Sequence, residues 1–193
     1  MIDYLAVMIV AVGAAALLLA AYLYFAPDEA QRQAWGSSFL AIGLLLVLLA
    51  VPLNVMWPLT GSYNIAFGEP AILFGLILAA AGIALLVKQE ILVPAILGFL
   101  GGIQSAIVGF SIMSLHMTKD PAVAGWSYVL LGIGGILTLP ALGWRKQRAI
   151  AYVAVAFLVV AALMWLYTGY SAYPSHLADF AKYVPASLMH ASH

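Results

Sequence analysis

The chain has 193 residues, of which 66% are hydrophobic and 7% are charged, and its mean hydropathy of +1.10 exceeds what a water-soluble domain of this length requires. Seven basic and seven acidic residues cancel, so no basic surface for nucleic acid is expected, and the absence of cysteine excludes disulfides and thiolate chemistry. The composition predicts an integral membrane protein whose main partner is the lipid bilayer.

Six apolar runs follow one another with short connections, and each has close to the ~20 residues that a helix needs to cross a bilayer. We predict transmembrane helices over Ile2–Phe25, Ser37–Trp57, Glu69–Val87, Ile91–Leu115, Pro121–Trp144 and Ala149–Tyr170. The predicted fold class is therefore all-α and polytopic, with a transmembrane domain over residues 1–170 and an external interfacial tail over residues 171–193. Two halves of three helices each would be compatible with an inverted repeat.

The basic residues of the predicted loops are distributed unequally between the two faces of the membrane. One face carries Arg32, Lys88, Arg145, Lys146 and Arg148, whereas the other carries only Lys119 and Lys182. Because Lys-rich and Arg-rich loops stay in the cytoplasm, both termini are expected outside the cell, in a protein of the plasma membrane.

Two acidic residues precede proline at predicted helix starts, namely Glu69 before Pro70 and Asp120 before Pro121. Proline at the first helical position loses no hydrogen bond, and a carboxylate there faces the positive end of the helix dipole. Both pairs are therefore interpreted as helix starts. The alternative for Glu69 is functional, as a carboxylate at a membrane entrance that binds a solute amide or senses protons.

His116 and His176 fall on the predicted outer face, together with Glu69. Histidine changes charge near neutral pH, so these three residues are candidates for pH sensing, and the alternative is that the histidines are solvated surface residues. Their spacing is not typical of a metal site, and neither a metal nor a cofactor is expected.

The deep polar side chains of the predicted helices are neutral, which disfavours an ion-coupled pump. Asn54, Gln104 and Ser105 could exchange hydrogen bonds with an uncharged solute or hold helices together. Tyr63 and Phe67, in the outer turn before Glu69, are expected to shape the entrance of a pore. Tryptophan and tyrosine side chains, Trp165 among them, are interpreted as an interfacial belt.

Small residues recur on one face of the fourth predicted helix and also occur in the fifth. They include Gly98, Gly102, Gly109, Gly132 and Gly135. Spacings of three and four place residues on one helix face, so close packing of two helix backbones is the favoured interpretation. The alternative is the smooth wall of a narrow pore.

Several of these features resemble known families. The layout of short-looped helices resembles an uncharacterised prokaryotic family of multi-pass membrane proteins that is classed as a domain of unknown function. The stretch FGEPAILFG, residues 67–75, is similar to the start of the third helix in the amide and urea channel family. The stretch FLGGIQ, residues 99–104, is similar to a step found in acetate and succinate transporters. Both resemblances imply a hexamer with one pore in each subunit.

The sequence favours a passive channel or facilitator over an enzyme, because it contains no nucleophile elbow, phosphate-binding loop or paired-carboxylate site. The expected solute is small and uncharged or weakly acidic, such as urea, a short amide or a short-chain acid, and the expected assembly is a homo-oligomer. The alternative is a non-catalytic structural subunit of a larger membrane complex, for example a respiratory one.

Overall fold

The computed structural model describes residues 5–143 and 148–179, which form helices and no strand. These described residues contain α1 (Leu5–Phe25), α2 (Glu29–Met56), α3 (Tyr63–Leu86), α4 (Leu92–Ser114), α5 (Pro121–Gly143) and α6 (Arg148–Asp179). All six helices in this part of the chain are long and apolar enough to cross a membrane. The prediction of an all-α, multi-pass membrane protein is confirmed.

Two helices extend beyond their predicted ends. Helix α2 begins at Glu29, because the Asp28 carboxylate caps it by accepting a hydrogen bond from the Gln31 N–H at 2.9 Å. Helix α6 continues past Tyr170 to Asp179, so the first part of the predicted tail belongs to that helix. Residues 180–193 of the predicted tail lie outside the described residues.

The predicted start of the third helix is wrong, because α3 begins at Tyr63 and places Glu69 inside the helix. The fully buried Asn64 side chain closes the preceding loop. Its oxygen accepts from the Leu59 N–H at 3.0 Å, and its amide donates to the Leu59 carbonyl at 2.6 Å. The chain is thereby turned before Tyr63, and helix formation starts one to two turns earlier than Pro70.

A proline inside α3 is tolerated because a side chain from another helix replaces the missing hydrogen bond. Pro70 has no N–H for the Ala66 carbonyl one turn earlier. The Tyr128 hydroxyl of α5 donates to that carbonyl at 2.9 Å. The second predicted helix start is confirmed, since α5 begins at Pro121 and the Asp120 carboxylate accepts from the Val123 N–H at 3.2 Å.

Helices that follow each other in the chain pack together, and α6 returns to α1, so the bundle is a closed ring in chain order. The α2–α3, α4–α5 and α1–α6 pairs pack most closely, whereas α1–α2 and α3–α4 pack more loosely. A few contacts also join α1 to α5 across the ring. The ring therefore has two loose seams, and the one between α3 and α4 joins two helices in the middle of the chain.

Paired glycines explain the close α4–α5 packing. A Cβ atom added to Gly102 would lie 2.5 Å from the Gly132 carbonyl oxygen, and one added to Gly109 would lie 2.5 Å from the Gly125 carbonyl oxygen. Such distances exclude any side chain, so only glycine lets these antiparallel backbones approach so closely. The α2–α3 pair uses the same device, with Gly43 facing the backbone of Gly75.

Candidate functional site

An elongated cavity of about 90 Å³ lies inside the bundle, between α1, α3, α4, α5 and α6. Along α5 its lining extends from Tyr128 to Leu142, a length of about 20 Å at the rise of an α-helix. Glycines and aliphatic or aromatic side chains form most of the wall, and no charged side chain of the described residues lines it. The interior of the bundle is thus suited to an uncharged and mainly apolar molecule.

Four buried polar side chains line this cavity: Ser105, Tyr128, Thr138 and Trp165. Three of them donate to backbone carbonyls. Ser105 Oγ donates to the Tyr128 carbonyl at 2.8 Å, Thr138 Oγ1 donates to the Gly134 carbonyl at 2.8 Å, and the Tyr128 hydroxyl donates to Ala66. These hydroxyl protons already have acceptors, and they tie α4 to α5 and α5 to α3.

Trp165 differs from these three side chains, because its indole N–H has no hydrogen-bond partner in the described part of the chain. The residue lies in the middle of α6 and is 5% exposed, so its interpretation as part of the interfacial belt is wrong. Buried polar groups in proteins are nearly always hydrogen-bonded, and leaving one unsatisfied costs about 1–3 kcal/mol. The Trp165 N–H is therefore a buried donor without an acceptor among the described residues, on a side chain that lines the cavity.

Aromatic rings pack together at the end of the cavity nearest the α2–α3 loop. Tyr63 and Phe67 stack with ring centroids 6.1 Å apart, Phe67 lies 6.3 Å from Tyr128, and Tyr128 meets Trp165 edge to face at 4.8 Å. We call these four residues the aromatic row. Phe67, Tyr128 and Trp165 line the cavity, and Tyr63 continues the row toward the loop.

The opposite end of the cavity adjoins a polar pocket of about 400 Å³, and Ile91 and Leu142 line both. Its charged residues are Arg32, Glu90 and Arg148, and we call this pocket the basic mouth. Arg32 lies 3.7 Å from the Glu90 carboxylate, and its Nε atom is buried with no hydrogen-bond partner among the described residues. Arg148 donates to the Tyr24 carbonyl at 3.1 Å. The cavity therefore ends in a polar and mainly cationic region.

The structure brings two of the predicted pore residues, Phe67 and Ser105, together at the cavity. Asn54 lies elsewhere, because its amide donates to the Ala50 carbonyl of its own helix at 2.9 Å and packs against Gly68. The half-buried Gln104 is outside the cavity lining and has no hydrogen-bond partner within the described residues. Neither amide is placed where a solute in the cavity would meet it.

The three candidate pH-sensing residues also lie outside the cavity lining. Glu69 is exposed on the side of α3 that carries the exposed Ile65 and Leu76. His116 is exposed in the loop between α4 and α5, and the half-buried His176 lies in the last turns of α6. A role in pH sensing stays a prediction for all three.

The predicted packing glycines overlap in their surroundings. Gly102, Gly109, Gly132 and Gly135 lie at the α4–α5 contact, where an added Cβ would meet backbone atoms. Gly98, Gly102 and Gly135 line the cavity, and a Cβ added to Gly98 would meet only Ile77, at 3.9 Å. One stretch of small residues thus serves both helix packing and the cavity wall.

Tyr128 and Asn64 are not among the residues predicted from the sequence, and Trp165 lies inside the bundle and not in the predicted interfacial belt. All three residues carry a polar group within or beside a predicted apolar run. Tyr128 and Trp165 lie inside their helices, where the polar group of an aromatic side chain can point into the bundle instead of lying at the membrane interface. A polar aromatic residue within an apolar run was therefore the sequence signal that could have identified Tyr128 and Trp165 as buried.

A ring of helices long and apolar enough to span a membrane, around an uncharged cavity, defines a multi-pass membrane protein with an apolar internal site. The chain belongs to the family described as "Protein of unknown function (DUF981)", whose model matches residues 1–179. The predicted resemblance to an uncharacterised family is confirmed, whereas the resemblance to channel families stays a prediction. Neither the curated proteins nor the solved structures contain a match to this chain.

Proposed function

We propose that the protein is a passive facilitator that lets a small, uncharged or weakly acidic solute cross the membrane through its central cavity. The observation that carries the proposal is the elongated cavity, which is about 20 Å long by helix rise and has no charged lining among the described residues. An ion there would lose its hydration without gaining a counter-charge, whereas an apolar solute would gain from burial.

The two ends of the cavity support passage in different ways. The basic mouth adjoins one end of the cavity, and Ile91 and Leu142 line both. The aromatic row closes the other end with packed rings. In this proposal the aromatic row is the closed gate, and Tyr63 and Phe67 keep the entrance role predicted for them.

Obstruction of the cavity tests this proposal. In Gly98→Leu the new side chain extends into the cavity, because a Cβ at this position meets only Ile77. Flux of urea, acetamide and butyric acid into sterol-rich proteoliposomes should fall to the level of protein-free vesicles. Ala122→Leu adds a comparable bulk at an exposed position of α5 and should leave flux unchanged. A folded Gly98→Leu protein with wild-type flux for every solute would refute the facilitator.

We propose further that both termini lie outside the cell, in the plasma membrane. Arg32, Lys88 and Arg148 lie at one end of the bundle, and Lys119 lies at the other, which supports a cytoplasmic position for the first group. A reporter fused after residue 193 should be active outside the cell, and a reporter active only in the cytoplasm would invert the assignment. The inverted three-plus-three repeat stays a prediction.

We also propose a homo-oligomer, with the hexamer implied by the channel resemblance as the first size to test. Helix α4 presents an apolar exposed face that includes Leu100, Ile107 and Phe110, which is suited to lipid or to a second copy. Mass measurement of the purified protein in mild detergent distinguishes the cases. A closed homo-oligomer supports the proposal, whereas a monomer that joins only other chains supports a structural subunit.

A further inference from the structure

We infer that the indole N–H of Trp165 is the group that recognises the solute, and that the solute carries one carbonyl-type acceptor on a slender apolar chain. This inference rests on the proposed function for the path of the solute. The chemical class it names includes short-chain carboxylic acids in their neutral form, together with their esters and ketones.

The hydrogen bonds of the cavity single out Trp165. Ser105, Thr138 and Tyr128 each donate their only proton to a backbone carbonyl, while the Trp165 N–H has no partner in the described part of the chain. An indole N–H donates and cannot accept, so only a group with an acceptor atom satisfies it. Trp165 is 5% exposed and lines the cavity, so we assign that acceptor to a molecule inside the bundle.

The rest of the cavity wall indicates that the remainder of the solute is apolar. Between Trp165 and the Ile91 end, the lining consists mainly of aliphatic side chains and of glycines such as Gly98 and Gly101. A narrow apolar space of this length accommodates a hydrocarbon chain and offers few acceptors for N–H groups. Urea has four N–H donors, most of which would be left unpaired against this wall, so the geometry favours a carbonyl compound over urea.

A matched pair of probes tests the inference by equilibrium binding. The probes are 2-butanone and butane, which have the same chain length, differ in the carbonyl group and are small enough for a cavity of about 90 Å³. The protein is labelled with ¹⁵N in the indole of its tryptophans and reconstituted in lipid nanodiscs. The Trp165 N–H resonance should move when 2-butanone is added and should stay in place with butane. The resonances of the other tryptophans should not move with either probe.

Two variants assign the signal and provide the control. Trp165→Phe removes the donor and should abolish the preference of protein-loaded nanodiscs for 2-butanone over butane, relative to empty nanodiscs. Trp126→Phe, which removes a tryptophan that is 47% exposed on α5, should retain the wild-type preference. If Trp165→Phe does not fold, the shift of the Trp165 resonance in the wild-type protein still tests the inference. In that case the Trp165 resonance is assigned by elimination, from variants that lack each of the other tryptophans.

Each outcome has a defined meaning. An unmoved Trp165 resonance with 2-butanone overturns the inference, as does a resonance that already exchanges rapidly with solvent before any probe is added, because water would then occupy the donor. Binding of 2-butanone without solute flux upholds the Trp165 site and refutes the facilitator. Flux without a shift of the Trp165 resonance upholds the facilitator and refutes the recognition role.

Discussion

At the scale of single residues, the contact between Tyr128 and Ala66 shows how one hydroxyl allows a proline inside a membrane helix. Pro70 leaves the Ala66 carbonyl without its helical partner, and the Tyr128 hydroxyl takes that place at 2.9 Å. The hydrocarbon core of a bilayer contains no water that could donate a hydrogen bond to such a carbonyl. The start of α3 therefore depends on a residue that is distant in sequence.

We predict that Tyr128→Phe lowers the free energy of unfolding by about 1–3 kcal/mol, because a buried carbonyl loses its partner. In Pro70→Ala the residue 70 N–H can bond to the Ala66 carbonyl, so Tyr128→Phe should cost less in that background. Unfolding in mild detergent across all four proteins measures the coupling between the two positions. Additive effects would show that Tyr128 does not replace the bond that proline removes.

Glu69 and Asp120 form a natural comparison, because only Asp120 is a helix cap in the structure. Asp120→Ala should lower the free energy of unfolding by about 1 kcal/mol, since the Val123 N–H loses its acceptor. Glu69→Gln should leave that free energy unchanged, because Glu69 is exposed inside α3. Thermal unfolding of the two variants measures these changes. An equal loss of unfolding free energy in both variants would contradict the assignment of Asp120 alone as a cap.

The pH-sensing hypothesis needs a separate measurement. Urea does not titrate in the relevant range, so its flux reports on the protein alone. Flux measured from about pH 5 to about pH 8 in wild type and in Glu69→Gln tests the hypothesis, because histidine changes charge in this interval. Since Glu69, His116 and His176 are outside the cavity lining, we expect flat and superimposable profiles. A pH response that Glu69→Gln removes would restore the sensing role.

At the scale of helices, the glycines of α4 perform different tasks although they share one face. Gly102 lies against the backbone of Gly132, whereas Gly98 lies against open space and the distant tip of Ile77. The packing of the α4–α5 pair therefore depends on the first glycine and not on the second.

We predict opposite effects for two alanine substitutions in α4. Gly102→Ala should lower the free energy of unfolding by about 1–3 kcal/mol, because its Cβ would overlap the α5 backbone. Gly98→Ala should leave it unchanged or raise it by up to ~1 kcal/mol, since alanine favours the helix and fits the space. Unfolding in a detergent titration compares the two. A similar loss in both would mean that α4 packs against α5 along its whole glycine face.

At the scale of the whole molecule, the loose α3–α4 seam borders a cavity that has the aromatic row at one end. In the proposed facilitator this row is the closed gate, so passage of a solute requires a rearrangement of the bundle. The α3–α4 seam is a less costly place for it than the glycine-paired helices, because fewer packed contacts are lost there.

A reversible cross-link across this seam tests the rearrangement. Ile77→Cys together with Gly98→Cys places two thiols within reach of each other, because a Cβ at residue 98 lies 3.9 Å from Ile77 Cγ2. The native chain contains no cysteine that would interfere. Oxidation should stop solute flux, and a reductant should restore it, while the single-cysteine variants should respond to neither. Unchanged flux in the oxidised protein would indicate a rigid path.

The sequence by itself determined the membrane class, the number of predicted spans and the cap at Asp120. Hydropathy is a local property, and a chain in lipid must satisfy its backbone hydrogen bonds within each segment, so apolar runs of this length become helices whatever surrounds them. The capping of α5 is local too, because the carboxylate of Asp120 and the N–H of Val123 are only one turn apart.

Only the tertiary structure decided which side of each helix faces inward. In a water-soluble protein the polar face of a helix marks its outside, but in a bilayer both the lipid-facing and the buried sides are apolar, and that signal is lost. Asn54 and Gln104 could therefore not be placed outside the cavity from sequence, and Trp165 could not be placed inside it. Their positions follow from glycine contacts and hydrogen bonds between helices that are distant in the chain, because close packing of those helices fixes how each one is rotated.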